Sequence, residues 1–111
     1  MTLDEMLALT MRQTGEDEAS LPEYRELAII YLNEGISDIS AGDMETGPVL
    51  AQGNDQPPLP ETCHGALADY ATWRLLGLGG RERQIKGDFF RERYMLVKRR
   101  YGDRMARKRQ A

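Results

Sequence analysis

Apolar residues recur at helical spacing twice in the first half of the chain. A Thr2–Glu5 pair, typical of a helix N-terminus, precedes the first stripe, and Gly15 follows it. The second stripe begins after a similar pair, Ser20 and Glu23. We therefore predict two amphipathic helices, whose apolar faces comprise Leu3, Met6, Leu7, Thr10 and Met11 in the first and Tyr24, Leu27, Ala28, Tyr31, Leu32, Gly35, Ile36 and Ile39 in the second.

The segment from Gly42 to Pro58 has a different composition and predicts a long loop. It contains three turn-forming pairs, Gly47-Pro48, Gly53-Asn54 and Pro57-Pro58. A connection of this length without secondary structure is unusual in a compact domain and is often functional. A two-stranded hairpin around the loop is a less supported alternative.

Two further helices are predicted in the second half. The third begins at Pro60 and ends at the glycines 77, 79 and 80, where we expect a left-handed glycine cap. The fourth begins near Arg81, and the short link makes the two an antiparallel hairpin or a sharply angled pair. Their apolar faces comprise Cys63, Leu67, Tyr70, Ala71, Arg74, Leu75 and Leu78 in the third, and Ile85, Phe89, Phe90, Tyr94, Val97 and Tyr101 in the fourth.

The fold class expected from these patterns is a small all-α bundle of about four helices. We expect residues 1–102 to form one helical domain and the basic residues 103–111 to leave it as an extended tail, because DRMARKRQA has few apolar residues to pack. No apolar run approaches the roughly 18 residues of a membrane span, and the single Cys63 excludes an internal disulfide bond.

Charge is divided unevenly along the chain. Residues 1–61 carry thirteen acidic side chains against two basic ones, and residues 62–111 carry thirteen basic side chains against five acidic ones. If the fold keeps these halves apart, copies of the chain could attract one another head to tail, or the basic end could bind an acidic partner or phosphate. The division therefore indicates an interaction protein rather than an enzyme.

The basic charge is densest near the C-terminus. Three interpretations remain open there: a solubilising tail, a nucleic-acid contact, and a tether that binds a protein partner. For nucleic acid, the third and fourth helices could act as a helix-turn-helix with Arg91, Arg93, Lys98 and Arg99 on the second helix. Seven cations lie within twelve residues: Lys98, Arg99, Arg100, Arg104, Arg107, Lys108 and Arg109.

Candidate catalytic and metal-binding residues are few. Cys63 and His64 are neighbours, so on a helix they point about 100° apart and cannot hold one ion together. The glycines around Leu78 lack the Lys-Ser/Thr pair of a phosphate-binding loop. We therefore expect no enzyme, no cofactor and no metal site.

Four segments in order resemble a known family. The chain reads T-x-x-E-M-L from Thr2, nearly L-x-x-Y-L-N-E-G-I-S-D-I from Leu27 to Ile39, L-P-E-x-x-H-x-A-L-x-x-Y-A-x-x-R-L-L from Leu59 to Leu76, and F-x-x-x-Y-x-x-x-V in altered spacing from Phe90 to Val97. This order resembles the head–tail connector (adaptor) proteins of tailed bacteriophages and prophages, which are small helical proteins of the virion.

The resemblance implies a ring of about a dozen copies beneath the portal protein, joined below to a stopper or tail component. It implies assembly in the bacterial host cytoplasm and a final place at the head–tail junction, where DNA passes without specific binding. Residues Lys98 to Arg109 would bind the portal, and the long loop, with Asp43, Glu45 and Asp55, would line the channel or contact a neighbour. The alternative is a DNA-binding module, a small packaging or regulatory protein that uses the fourth helix and the basic tail.

Overall fold

The computed structural model describes residues 1–16, 21–41 and 49–110, with the backbone alone at 21 and 22. Four α-helices form this part of the chain: α1 (Leu3–Thr14), α2 (Leu21–Ile39), α3 (His64–Leu76) and α4 (Arg81–Gln110). A 3-10 turn, Glu61–Cys63, leads into α3. No strand occurs among the described residues. The predicted all-α fold class is therefore confirmed.

The ends of α1 follow from their side chains. The Thr2 hydroxyl accepts the Glu5 amide at 3.3 Å, and the Glu5 carboxylate accepts the Thr2 amide at 2.9 Å, so two amides of the first turn gain partners. Gly15 ends the helix with a φ of 80°, a left-handed conformation that glycine adopts without strain. Ser20, the proposed cap of α2, lies outside the described residues.

Helix α3 lies at the centre of the bundle and packs against the other three helices. Glycines let two of them approach closely. A Cβ at Gly87 of α4 would lie 3.3 Å from the Trp73 carbonyl oxygen, and one at Gly35 of α2 would lie 3.2 Å from the Tyr70 ring. The core comprises Leu3, Met6, Leu7, Ala28, Tyr31, Leu32, Ile36, Ile39, Leu50, Cys63, Ala66, Leu67, Tyr70, Ala71, Leu75 and Tyr94.

Residues 49–60 contain no helix or strand, but hydrogen bonds attach them to two helices. The Asn33 side chain accepts the amides of Val49 and Leu50 at 3.1 and 2.9 Å and donates to the Leu50 carbonyl at 3.1 Å. Farther along, the Gly53 and Asp55 carbonyls accept the first two amides of α1 at 3.0 and 2.8 Å. Buried Leu50 joins the core between these attachments.

The end of α3 differs from the prediction. Gly77 remains right-handed, with a φ of −64°, and the chain leaves the helix through i→i+3 bonds from Leu78 to Leu75 and from Gly79 to Leu76. Among the described residues, Gly15 is the one glycine with a positive φ. The expected left-handed cap is therefore wrong, since a tightened last turn satisfies the carbonyls instead.

Helix α4 also differs from the prediction, because it continues through Gly102 to Gln110. Residues 103–110 are therefore helical and do not form an extended tail. Arg, Lys, Ala, Met and Gln are good helix formers, and cations near a helix C-terminus interact favourably with its dipole. A helix of 30 residues is about 45 Å long, close to the 48 Å longest dimension of the molecule.

The single apolar stripe expected on α4 is in fact two faces. Phe90 and Tyr94 are buried, and Val97 and Tyr101 are partly buried against the core. Ile85 and Phe89 belong to neither group, because each is 60% exposed. At about 100° per residue, these two side chains lie on the side of the helix away from Tyr94.

Candidate partner-binding surface

One of the seven C-terminal cations binds within the bundle. The Lys98 ammonium lies 3.0 Å from the Asp38 carboxylate of α2, and the buried Tyr94 hydroxyl donates a hydrogen bond to the same oxygen. Burial raises the pKa of Asp38, but the hydrogen bonds from Tyr94 and Lys98 outweigh it and lower the pKa. Burial and the Asp38 charge raise the pKa of Tyr94. Lys98 therefore serves the fold.

Most of the other cations have no such partner. Each side chain in the following set is exposed, and none has a carboxylate partner in residues 1–16, 21–41 and 49–110. They lie on the last three turns of α4, where Asp103 is the single acidic residue. The set comprises Arg99, Arg100, Arg104, Arg107 and Lys108.

Tyr101 separates two clefts at this end of α4. The first, of about 140 Å³, lies between α4 and the start of α3 and includes Thr62, Arg100 and Arg104 in its lining. The second, of about 370 Å³, lies between α4 and the end of α2 and is lined by Ile39, Ser40, Ala41, Pro58, Tyr101, Gly102, Met105 and Arg109. Cationic side chains thus border concave surfaces, and the second cleft is partly apolar.

Acidic residues from the first half of the chain meet several cations of the second half within the subunit. Three pairs join them: Glu16 with Arg83 at 3.2 Å, Glu34 with Arg74 at 3.2 Å, and Asp38 with Lys98 at 3.0 Å. All six side chains retain solvent exposure, so each pair contributes roughly 0–1 kcal/mol to stability. The charge division in sequence is therefore neutralised in part, and the excess remains near the end of α4.

A second polar cluster joins α1, α3 and α4. The buried Asp69 carboxylate accepts a hydrogen bond from the side-chain NH2 of Gln13 at 3.1 Å and lies 3.3 Å from the Arg93 guanidinium. The Thr72 hydroxyl donates to the side-chain oxygen of Gln13 at 2.6 Å. Burial raises the pKa of Asp69, and Arg93 and Gln13 offset only part of this effect. Arg93 is therefore partly engaged inside the subunit.

The loop acids proposed for the channel or a neighbouring copy have different positions. Asp43 and Glu45 lie outside the described residues. The Asp55 carboxylate accepts the amides of Gln52 and Ala51 at 2.8 and 2.9 Å, and these bonds lower the pKa of Asp55. Asp55 thus closes a turn within its own loop, and its contact with a neighbour stays a prediction.

Cys63 and His64 have structural contacts. Cys63 is buried in the core, where burial raises the pKa of its thiol. The buried His64 ring places Nε2 2.9 Å from the Leu59 carbonyl oxygen, so Nε2 must carry the hydrogen. This bond attaches the end of the loop to the start of α3, which gives the Leu59–His64 part of the family pattern a physical reason. In the described ranges, no three His, Cys, Asp or Glu side chains are grouped to hold a metal ion.

The outer face of α4 is a feature that the sequence analysis missed. Ile85, Phe89 and Leu96 are exposed there and lie at intervals of four and seven residues. That spacing was a usable signal, because it places all three on one side of a helix. It was obscured by Phe90 and Tyr94, which begin the buried face.

No protein-family model matches this chain, and neither the curated proteins nor the solved structures contain a match. Within the described residues, no helix combines the length and apolarity needed to cross a bilayer. The residues themselves and the resemblance carried by the four segments are therefore what points to a function.

Proposed function

We propose that this chain is a structural virion protein, a head–tail adaptor that forms a ring beneath the portal of a tailed bacteriophage and joins the head to the tail. The four segments of the resemblance support the proposal, since three correspond to α1, α2 and α4 and one to the loop end with α3. The polar contacts of Asp38, Asp69 and His64 all serve packing, which suits a protein whose role is assembly.

The observation that carries the proposal is the basic end of α4. A rigid helix presents five exposed cations without carboxylate partners in the described part of the chain, and two clefts flank its Tyr101. Arginine binds carboxylates with two parallel hydrogen bonds, and half-open clefts admit side chains of a partner. We infer that this end of α4 binds an acidic surface of the portal protein.

The contacts inside the subunit favour a protein partner over DNA. Of the cations assigned to a helix-turn-helix, Lys98 is bound to Asp38, Arg93 to Asp69 and Arg91 to Glu92. A DNA-binding helix needs such side chains free to reach phosphates and base edges. The acidic excess of the first half would also repel DNA, which suits a ring through which DNA passes without binding.

Co-purification with a portal protein from the same source tests the proposal. We expect a stable complex that Arg100→Glu with Arg104→Glu disrupts, because the charge at the first cleft is reversed. The matched control is Arg12→Glu with Arg81→Glu, which changes net charge equally at two exposed positions away from that end. Disruption by both pairs, or by neither, would contradict the assignment of the binding surface.

A DNA-binding measurement separates the alternative. Fluorescence anisotropy with a labelled duplex should show little binding at about 150 mM salt, whereas a DNA-binding module would bind tightly with a steep salt dependence. Tight, salt-dependent binding without a portal complex would replace the adaptor by the DNA-binding module.

A further inference from the structure

Helix α4 has an apolar face that the bundle leaves uncovered. Ile85 and Phe89 are each 60% exposed, and Leu96 is 46% exposed. At about 100° per residue, the three side chains lie within about 40° of one another, opposite the face that packs on α3. Three large apolar side chains aligned in this way form a stripe rather than isolated exposed residues.

Cations border one side of this stripe. Lys86 and Arg93 precede Phe89 and Leu96 by three residues each, and the two cations are seven residues apart, which is about two turns. Lys86 is exposed and has no carboxylate partner in the described part of the chain. The Arg93 guanidinium lies over Phe89 at 5.6 Å and remains half exposed beside Asp69. The other side carries Asp88 and Glu92, and Glu92 is paired with Arg91 at 3.3 Å.

Helix α2 carries an exposed stripe of the opposite sign. Its exposed positions recur at intervals of three or four residues, and in the middle Ile30 is 53% exposed. Glu34 is paired with Arg74 and is still partly exposed. Glu23 and Glu26 have no ion-pair partner among the described residues. We call this set the acidic stripe: Glu23, Glu26, Ile30, Glu34 and Ser37.

The two stripes are similar in length, and the cations that border the α4 stripe are opposite in charge to the glutamates of α2. At 1.5 Å per residue, the acidic stripe extends about 21 Å from Glu23 to Ser37, and the α4 face about 17 Å from Ile85 to Leu96. Each has an exposed apolar side chain near its middle, Ile30 on α2 and Phe89 on α4. Glu34 and Arg93 contact α3 at the margins of the two stripes, but Ile30 is 53% and Phe89 60% exposed, so the centres of the stripes do not cover one another within the subunit. A second copy of the chain supplies the complementary surface for each.

We propose that the outer face of α4, formed by Ile85, Lys86, Phe89, Arg93 and Leu96, binds the acidic stripe of α2 in a second copy of this chain. Different patches meet in such a contact, so one copy keeps a free acidic stripe and the other a free α4 face, and each can bind a further copy. The proposal rests on the proposed ring, for which it names the contact between neighbours. It leaves the unpartnered cations of the basic end for the partner: Arg99, Arg100, Arg104, Arg107 and Lys108.

A single helix-to-helix contact is small, so the free chain should associate weakly, with a Kd on the order of 100 µM. Sedimentation velocity of the full chain from about 10 µM to about 1 mM measures this association. We expect Phe89→Ser and Ile30→Ser each to weaken it at least about tenfold. Leu78→Ser is the matched control, because Leu78 is 65% exposed but lies in the turn before α4, and it should associate as the unchanged chain does.

Charge variants test the pairing of the two stripes. Glu23→Lys with Glu26→Lys removes the acidic stripe, and Lys86→Glu weakens the α4 face; each chain alone should lose association. An equimolar mixture should regain it, since each chain retains the face that the other lacks. An unchanged chain that stays monomeric at about 1 mM would overturn the proposal. Charge variants that associate normally would also overturn it. The same holds for a mixture that does not regain association although each chain gives the unchanged far-ultraviolet circular dichroism spectrum.

The portal experiment separates this inference from the proposed function. If the unchanged chain binds the portal but Phe89→Ser and Ile30→Ser self-associate normally, the contact is refuted and the adaptor role stands. If both variants lose self-association but the unchanged chain does not bind the portal, the contact is supported and the adaptor role is refuted.

Discussion

The two ends of α4 treat their cations in opposite ways. Between Arg81 and Lys98 the helix lies along the bundle, and three cations meet carboxylates from outside α4, as Lys98 meets Asp38. Beyond Lys98, five exposed cations have no carboxylate partner in the described residues: Arg99, Arg100, Arg104, Arg107 and Lys108. The comparison teaches that the cations facing the bundle, such as Lys98, support the fold, whereas the exposed cations from Arg99 to Lys108 are not held by carboxylates of the described residues.

The largest expected effect distinguishes the two ends by packing. Tyr94→Ala removes a fully buried ring that contacts Tyr70 and leaves a cavity, so it should lower the free energy of unfolding by about 3–5 kcal/mol. Tyr101→Ala, at the partly buried end, should cost about 1 kcal/mol. Urea denaturation followed by circular dichroism measures both values. Equal losses would show that the far end of α4 is as firmly packed as the near end.

A smaller effect on stability distinguishes two of the carboxylates that pair with cations of the near end, Asp38 and Asp69. The pKa of Asp38 is lowered below its ordinary 3.8, so its stabilisation is present above that value and is lost as pH falls through the folded pKa. The pKa of Asp69 is raised above 3.8, so its contribution is present below that value and is lost as pH rises through the folded pKa.

Asp38→Asn and Asp69→Asn should therefore change stability with opposite pH dependence. Between about pH 3 and pH 6, Asp38→Asn should become less stable relative to the unchanged chain as pH rises, and Asp69→Asn more stable. Thermal unfolding across this range measures the difference. Parallel trends would mean that one of the two carboxylates is in a different environment from the one described.

The smallest effect on stability should come from the far end itself. Ending the chain after Gly102 removes mostly exposed side chains and one partly buried residue, Met105. The free energy of unfolding should change by about 0.5 kcal/mol or less, while portal binding is lost. Thermal unfolding and co-purification measure the two outcomes. Normal portal binding by the shortened chain would refute the role of the basic end.

Local signals in the sequence were enough to predict the elements. The Thr2–Glu5 pair, Gly15 and the helical stripes act within a few residues of chain, so they indicated four helices in the observed order. Gly87 could not be explained from its neighbours in sequence, because its reason lies in α3, where a Cβ at this position would lie 3.3 Å from the Trp73 carbonyl oxygen, closer than most such contacts. Asn33 is similar, since its loop partners are 16 and 17 residues away.

Two errors had a common cause, which was to require one apolar face for each helix. The pattern places Ile85 and Phe89 on the buried stripe, although at about 100° per residue both lie nearly opposite Tyr94, and each is 60% exposed. The last turns of α4 were predicted to leave the helix for want of apolar residues, although helix propensity is sufficient and one glycine costs only about 1 kcal/mol. The partner-binding surface was predicted from charge alone, and its partner stays a prediction.

Asn33 has a consequence for the engineering of this protein. By holding Val49 and Leu50 beside α2, it returns the chain to the same helix that the chain leaves after Ile39. Both ends of the intervening segment are thus fixed by α2 itself, and the closure entropy of a loop grows only slowly with its length. Peptides inserted between Ala41 and Val49 should therefore cost little stability, provided that Asn33 and Leu50 are retained.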